Sequence, residues 1–296
     1  MANSTQRLVS KKYAKRSTSA EIWHRLKKNK GAVIGMVLIV VIVALALISG
    51  FVFDYEQDVI AQNLPMKLQF PSTEHWFGTD ELGRDVFARV IYGARYSLSV
   101  GVVAVFVAIA TGVTLGCIAG FMGGAVSEFI MRVMDIFSSI PSILMAIAIV
   151  SAFGASTINL MIAVGITSMP QFVRITRAAI MTVRGEDYVE AAKAIGMPSW
   201  RIVLDHMLPN CISPILVQST QRIAGAIISA SSLSFLGLGV PAPAPEWGSM
   251  LSIGRTYIRD YSYLTLFPGL AIMLTVLSFN LLGDGLRDAI DPKMKR

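Results

Sequence analysis

The chain has 296 residues, 54% of them hydrophobic and 15% charged, with a mean hydropathy of +0.60. That balance excludes an ordinary water-soluble domain and makes a membrane protein the first reading. The formal net charge of +7 would suit nucleic acid, but the Lys and Arg residues gather beside apolar stretches, where they mark topology; no nucleic-acid partner is expected.

Residues 1–30 read as a basic tail carrying Arg7, Lys11, Lys12, Lys15, Arg16, Arg25, Lys27, Lys28 and Lys30. From Gly31 to Phe53 no charge interrupts the apolar run, which is long enough for a helix to cross a hydrocarbon core of about 30 Å. Ala44-Leu45-Ala46 has the small-x-small form of a signal cleavage site, but the run continues past it and the preceding tail is long and basic, so a retained anchor is expected. Five further spans follow, near 97–122, 133–153, 158–178, 211–236 and 264–283. The expectation is an all-α polytopic membrane protein with six transmembrane helices, embedded in a lipid bilayer. The remaining units are an extracytoplasmic loop with a short helix at 54–96, a core of five helices at 97–285 and a basic tail at 286–296.

The positive-inside rule places both termini in the cytoplasm, in agreement with an even helix count. The acidic loop after the first span, with Asp54, Glu56, Asp58, Glu74, Asp80, Glu81 and Asp85, then lies outside. The loop between the fourth and fifth spans, which includes 184–210 and carries Arg174, Arg177, Arg184, Lys193 and Arg201, lies inside. In the outer loop Thr79 reads as the cap of a helix from Asp80 toward Tyr96, with Asp85 and Arg89 one turn apart on its surface.

Gly112, Gly116, Gly120 and Gly124 recur every fourth residue and leave a smooth stripe for close helix packing, within the chain or against a second subunit. Prolines 141, 170, 214 and 268 invite kinks. Cys117 and Cys211 form no Cys-x-x-Cys pair and read as buried thiols. Arg132 with Asp135, and Gln218 with Gln221 and Arg222, are polar groups near or within spanning segments that should face protein or water, either lining a pathway or pairing between helices; none is read as a substrate ligand.

The inner loop reads as two short helices with a break. Glu186 and Asp187 oppose the dipole of the first, Gly196 ends it, and Pro198 opens the next. Tyr188, Ala191, Ala192 and Ile195 fall at i, i+3, i+4 and i+7, giving one apolar face suited to docking, either under the chain's own bundle or into a partner's groove.

Glu190-Ala191-Ala192, three further residues, Gly196 and then Leu208-Pro209 resemble the EAA motif of permease subunits in ATP-binding-cassette importers. His206 stands where that pattern often has isoleucine. Phe77-Gly-Thr-Asp-Glu-Leu-Gly-Arg-Asp-Val, Tyr92-Gly-Ala-Arg-Tyr-Ser-Leu, Pro245-Glu-Trp-Gly-Ser-Met-Leu and Asn280-Leu-Leu-Gly-Asp-Gly-Leu-Arg-Asp resemble the C-type subunit of the dipeptide and oligopeptide group. The resemblance implies a bacterial inner-membrane permease that forms half of a pathway for small peptides or similar solutes. It makes the EAA helix a coupling helix, with Tyr188, Glu190, Ala191, Ala192, Ile195 and Gly196 at the ATPase interface. It also implies a homologous second permease, two nucleotide-binding ATPase subunits and an extracytoplasmic solute-binding protein, which Asp80, Arg84, Asp85, Glu246 and Trp247 could contact unless they close an outer gate.

The chain itself is expected to be no enzyme and to bind no cofactor or metal. It lacks a Gly-x-x-x-x-Gly-Lys-Ser/Thr loop, so ATP and Mg are expected on partner subunits. Its histidines, at 24, 75 and 206, are scattered, and neither His-Glu-x-x-His nor Gly-x-Ser-x-Gly occurs. The alternative is an ATP-independent channel or secondary carrier, for which the inner loop would have no purpose.

Overall fold

The computed structural model describes residues 18–290, so the outer parts of both expected basic tails lie outside the described residues. Within them the chain is all-α, with an isolated bridge between Thr79 and Asp85. The helices are α1 (Thr18–Lys28), α2 (Lys30–Val52), α3 (Val86–Met122), α4 (Gly124–Ser139), α5 (Ser142–Phe153), α6 (Thr157–Val183), α7 (Asp187–Ala194), α8 (Leu208–Phe235), α9 (Trp247–Gly254) and α10 (Tyr263–Ile290).

Four of these, α2, α3, α6 and α10, are long and apolar enough to cross a membrane. The expected span at 133–153 is instead a pair, α4 and α5, bent by 88°. Ile140 is extended and Pro141 follows it, because a residue before proline is pushed out of the helical region and proline itself cannot donate to the preceding turn. Taken as one span, the pair makes five. The expected span at 211–236 corresponds to α8. Its 28 residues reach about 42 Å at 1.5 Å per residue, but Gln218, Gln221, Arg222 and its serines leave it less apolar than the others.

The expected break at residue 96 is also absent. Helix α3 runs unbroken for 37 residues, so the outer short helix and the second span are one element. It starts at Val86, capped by Asp85, whose Oδ1 accepts from the Ala88 amide at 2.8 Å. Thr79 caps nothing; its hydroxyl donates to the Met66 carbonyl within the loop.

The glycine stripe seals α3 to α6. A Cβ at Gly112 would stand 2.5 Å from Phe172 Cβ, one at Gly116 2.6 Å from Thr176 Cβ, and one at Gly120 2.7 Å from Ile180 Cβ. Side chains there would hold the backbones apart, so the packing is internal to the chain. Gly124 does not extend it: with φ +50 it opens α4 beside Gly123, φ +66, and no atom lies within 4 Å of its added Cβ. The largest core cluster lies in the same region, where Val100, Ala104 and Ala108 of α3 meet Leu160 and Phe172 of α6 and Ile215 and Leu233 of α8.

At one end of the bundle Asn29 caps α2 through the Ala32 amide (3.1 Å) and donates to Asp288 of α10 (3.2 Å). Leu26, Ala32 and Ala289 close the contact, which holds α1 under the end of α10.

Candidate functional site

Helix α7 follows α6 after a tight turn. Asp187 and Glu190 occupy its first turn and Lys193 its last, each complementing the helix dipole. Gly196, at φ +76, ends it: the Gly196 amide donates to Lys193 O at 3.0 Å and the Met197 amide to Ala192 O at 3.1 Å. The left-handed residue and the longer bond form a Schellman-type stop that side chains with a Cβ disfavour.

The apolar face is not the one expected from spacing. Val189 and Ala192 point inward, at 0% and 5% exposure, and join Cys117, Ile180, Ile202, Val203, Met207 and Cys211. Tyr188, Glu190, Ala191 and Ile195 point outward; Ile195 is 76% exposed. The reason is size and register. Val189 brings more apolar surface to the cluster than Ala191 could, and Ile195 lies beyond the last helical residue, at the C-cap. Ala192 therefore anchors α7, while the other named residues stay available at the surface.

After Pro198 a short turn, Ser199–Arg201, passes through a π-helical stretch, Ile202–Met207, into α8. Ile202, Val203 and Met207 are buried against α7, His206 is half-buried, and Pro209 sits in the first turn of α8, where its missing donor costs nothing. The Cys211 thiol donates to Ala179 O at 3.0 Å, pinning α8 to α6; both cysteines are free and buried. The surface helix is thereby bolted to the ends of three membrane helices.

The residues at the other end of the bundle form an interior rather than a contact surface. Asp80, Arg84, Glu246 and Trp247 are 7%, 4%, 1% and 2% exposed, so a direct touch by a partner is withdrawn for them in this conformation. Arg84 Nε lies 2.7 Å from Asp80 Oδ2, and Arg89 Nε 3.5 Å from the same oxygen. Arg89, expected on a helix surface, is buried and donates to Val59 O at 2.8 Å. Asp85 alone of the five is partly exposed, and it pairs with His75 at 2.7 Å rather than with Arg89.

Glu246 caps α9, its carboxylate accepting from the Gly248 and Ser249 amides at 2.9 Å and from the Ser97 hydroxyl at 3.3 Å. Burial pushes this carboxyl above the usual carboxylate range, and those donors partly offset it. Burial also raises Glu81, with Asp80 adding to the effect. Trp247 Nε1 donates to Val90 O at 2.9 Å, the Tyr263 hydroxyl lies 2.8 Å from both the Gln69 and Thr79 carbonyls, and Phe77 stacks on Phe267 at 3.8 Å. The loop, α3, α9 and α10 are one block. A cleft of about 710 Å³ opens on it, lined by polar groups such as Asp58, Glu74, His75 and Asp85 and by apolar ones such as Phe53, Trp76 and Phe87.

Asp135 pairs with Arg174 of α6 at 3.0 Å rather than with Arg132, and Gln218 donates to Gln171 at 3.1 Å. Gln171 carried no signal in the sequence, and Arg174, expected in the inner loop, lies within α6. Among the described residues no group of three or more His, Cys, Asp or Glu side chains could hold a metal ion.

Long apolar helices with a small amphipathic helix fixed to their ends define a polytopic membrane protein. Residues 112–296 match the family model described as the binding-protein-dependent transport system inner membrane component, and residues 17–71 that of the N-terminal TM domain of oligopeptide transport permease C. The chain belongs to this family of inner-membrane permeases. It is 48% identical over 275 residues to the dipeptide transport system permease protein DppC of Alkalihalophilus pseudofirmus, covering 93% of this chain and 90% of that one. It is 43% identical to the di/tripeptide permease DppC of Pseudomonas aeruginosa (93% and 92% covered) and 41% to the glutathione permease GsiD of Pectobacterium atrosepticum (93% and 91%). In fold it is similar to a chain of the MetNI methionine ABC transporter solved in inward-facing form, with a TM-score of 0.56 and 16% identity over 69% of this chain and 97% of that one.

Proposed function

We propose that this permease forms half of the pathway of an ATP-driven importer of small peptides and receives the ATPase stroke through α7. The observation that carries this is the two-sidedness of α7. Val189 and Ala192 lock it into the ends of α3, α6 and α8, while Tyr188, Glu190, Ala191 and Ile195 face outward. A helix held this rigidly on one side and left exposed on the other transmits force from whatever grips it. Gly196 contributes by ending the helix where Ile195 protrudes.

In this reading a homologous second permease supplies the other half. Two ATPase subunits bind ATP and Mg, and an extracytoplasmic solute-binding protein delivers the solute. The peptide class is drawn from the relatives, whose names give dipeptides, di/tripeptides and glutathione. Both termini and α7 lie in the cytoplasm, by the distribution of Lys and Arg. The block around Glu246 then lies outside, where Asp85 and the cleft face the binding protein.

The test is Glu190→Lys, a charge reversal on the exposed face of α7 that touches no core residue. In proteoliposomes carrying the assembled complex and its binding protein, ATP-dependent dipeptide uptake should be lost while the chain stays inserted, because a reversed charge at a docking surface opposes register. Unchanged uptake removes Glu190 from the coupling role. Uptake by this chain alone without ATP means a channel or carrier instead.

A further inference from the structure

Three helices bring polar side chains to one place, on α6 within a helix long and apolar enough to cross a membrane. On α6, Gln171 and Arg174 are one turn apart on one face. They lie about 18 and 14 Å from the end of the helix at Val183, by the 1.5 Å rise per residue. Arg174 donates to Asp135 at 3.0 Å and to Ser138 at 2.9 Å, both on α4. Gln171 accepts from Gln218 of α8 at 3.1 Å.

Interhelical pairing alone would draw such groups inward. They are not drawn inward: the Arg174 and Asp135 side chains are 40% and 59% exposed, and Gln171 and Ser138 are exposed as well. Ionised groups along a spanning helix do not face hydrocarbon without heavy cost, so this face must meet water or protein in the assembled transporter. An exposed ion pair is also weak and readily exchanged for other partners. Arg174 offers a planar donor fork to a carboxylate, Asp135 an acceptor to an ammonium, and the two amides can bond a peptide group.

We infer that Asp135, Ser138, Gln171, Arg174 and Gln218 line the water-filled pathway and hold the charged ends of a zwitterionic peptide in transit, Arg174 taking its carboxylate and Asp135 its ammonium. This rests on the importer reading above, and it adds the residues and the charge state of the cargo. A solute without charged ends gains nothing from opening the ion pair, so the face selects for free peptides over blocked ones.

The test uses inside-out membrane vesicles carrying the assembled complex, without nucleotide. Gln171→Cys and Gln218→Cys are treated with a charged, membrane-impermeant methanethiosulfonate reagent; the unaltered chain, whose two cysteines are buried, supplies the blank. Both new thiols should react, and alanyl-alanine should slow the reaction whereas N-acetyl-alanyl-alanine amide should not. Adding Arg174→Gln to Gln218→Cys should raise the half-protecting concentration of alanyl-alanine about tenfold, the usual loss for a charged hydrogen bond.

Thiols that do not react place this face against lipid or the second permease and overturn the inference. Reaction with no protection, or equal protection by both peptides, overturns the assignment of the ligand. ATP-dependent uptake of alanyl-alanine by the unaltered complex is measured beside it. Its absence counts against the importer reading, while the labelling still decides what lines the pathway.

Discussion

Truncating Val189 to alanine tests whether α7 is held by its buried side. Val189 is fully buried among Ile180, Ile202, Val203 and Met207. Removing its two methyl groups forfeits about 0.8 kcal/mol each in transfer free energy, and the cavity raises the total to about 2 kcal/mol. If α7 opens as a local unit, that loss multiplies the fraction of time it is undocked about thirtyfold, since 1.4 kcal/mol is a factor of ten. Hydrogen exchange read by mass spectrometry on the protein in nanodiscs should show the amides of 187–194 exchanging faster by that factor, with the interior of α3 unchanged. Ile195→Ala, at a residue 76% exposed, should leave the same amides alone. An α7 that exchanges at its original rate in Val189→Ala, or that responds equally to Ile195→Ala, would refute the anchoring argument.

Gly116→Val forces a side chain into a gap where even Cβ would lie 2.6 Å from Thr176 Cβ and 2.8 Å from Val173 O. It should cost about 1–3 kcal/mol or more and lower the thermal midpoint of the purified protein; an unchanged midpoint would show that α3 and α6 are not sealed there. Tyr263→Phe leaves the Gln69 and Thr79 carbonyls without their hydroxyl, a loss of about 1–3 kcal/mol. It should speed limited proteolysis of residues 54–85, and an unchanged cleavage rate would refute the role. Glu246 has its folded pKa raised by burial. Its contribution is therefore fully present below the unfolded carboxylate value and is lost as pH rises through the folded value. Glu246→Gln should flatten that part of the stability profile, whereas a profile unaltered by the substitution would remove the carboxyl from it.

What the sequence made legible follows from how local each signal is. The first span was read at 31–53 and is Lys30–Val52, because an uncharged apolar run needs no tertiary partner to be recognised. The end of α7 at Gly196 was equally plain, since a left-handed stop is dictated by a residue and its immediate neighbours. The inward face of α7 was not. Eight residues make barely two turns, and either of two overlapping apolar sets satisfies the spacing; the choice fell to Ile202 and Met207, which arrive later in the chain. Charged residues misled in the same way. Arg89 and Glu246 read as surface groups until the Val59 carbonyl and the Ser97 hydroxyl satisfied them in the interior. Interhelical pairing was one of the readings for Asp135, but its partner, Arg174, lies 39 residues away and could not be named from the sequence.

Helix α3 has one further implication. It runs from the block around Glu246 to the cluster that seats α7 with no proline along its 37 residues, whereas α6, α8 and α10 each carry one in their interior. At 1.5 Å per residue it is a rod of about 55 Å, so a tilt of about 5° at one end displaces the other by about 5 Å. Glycines along its flank let a second helix ride with it at backbone distance, which stiffens the pair against bending. Small rotations on one side of the bilayer then become ångström-scale displacements on the other, while the proline-bearing helices act as the compliant joints around that lever.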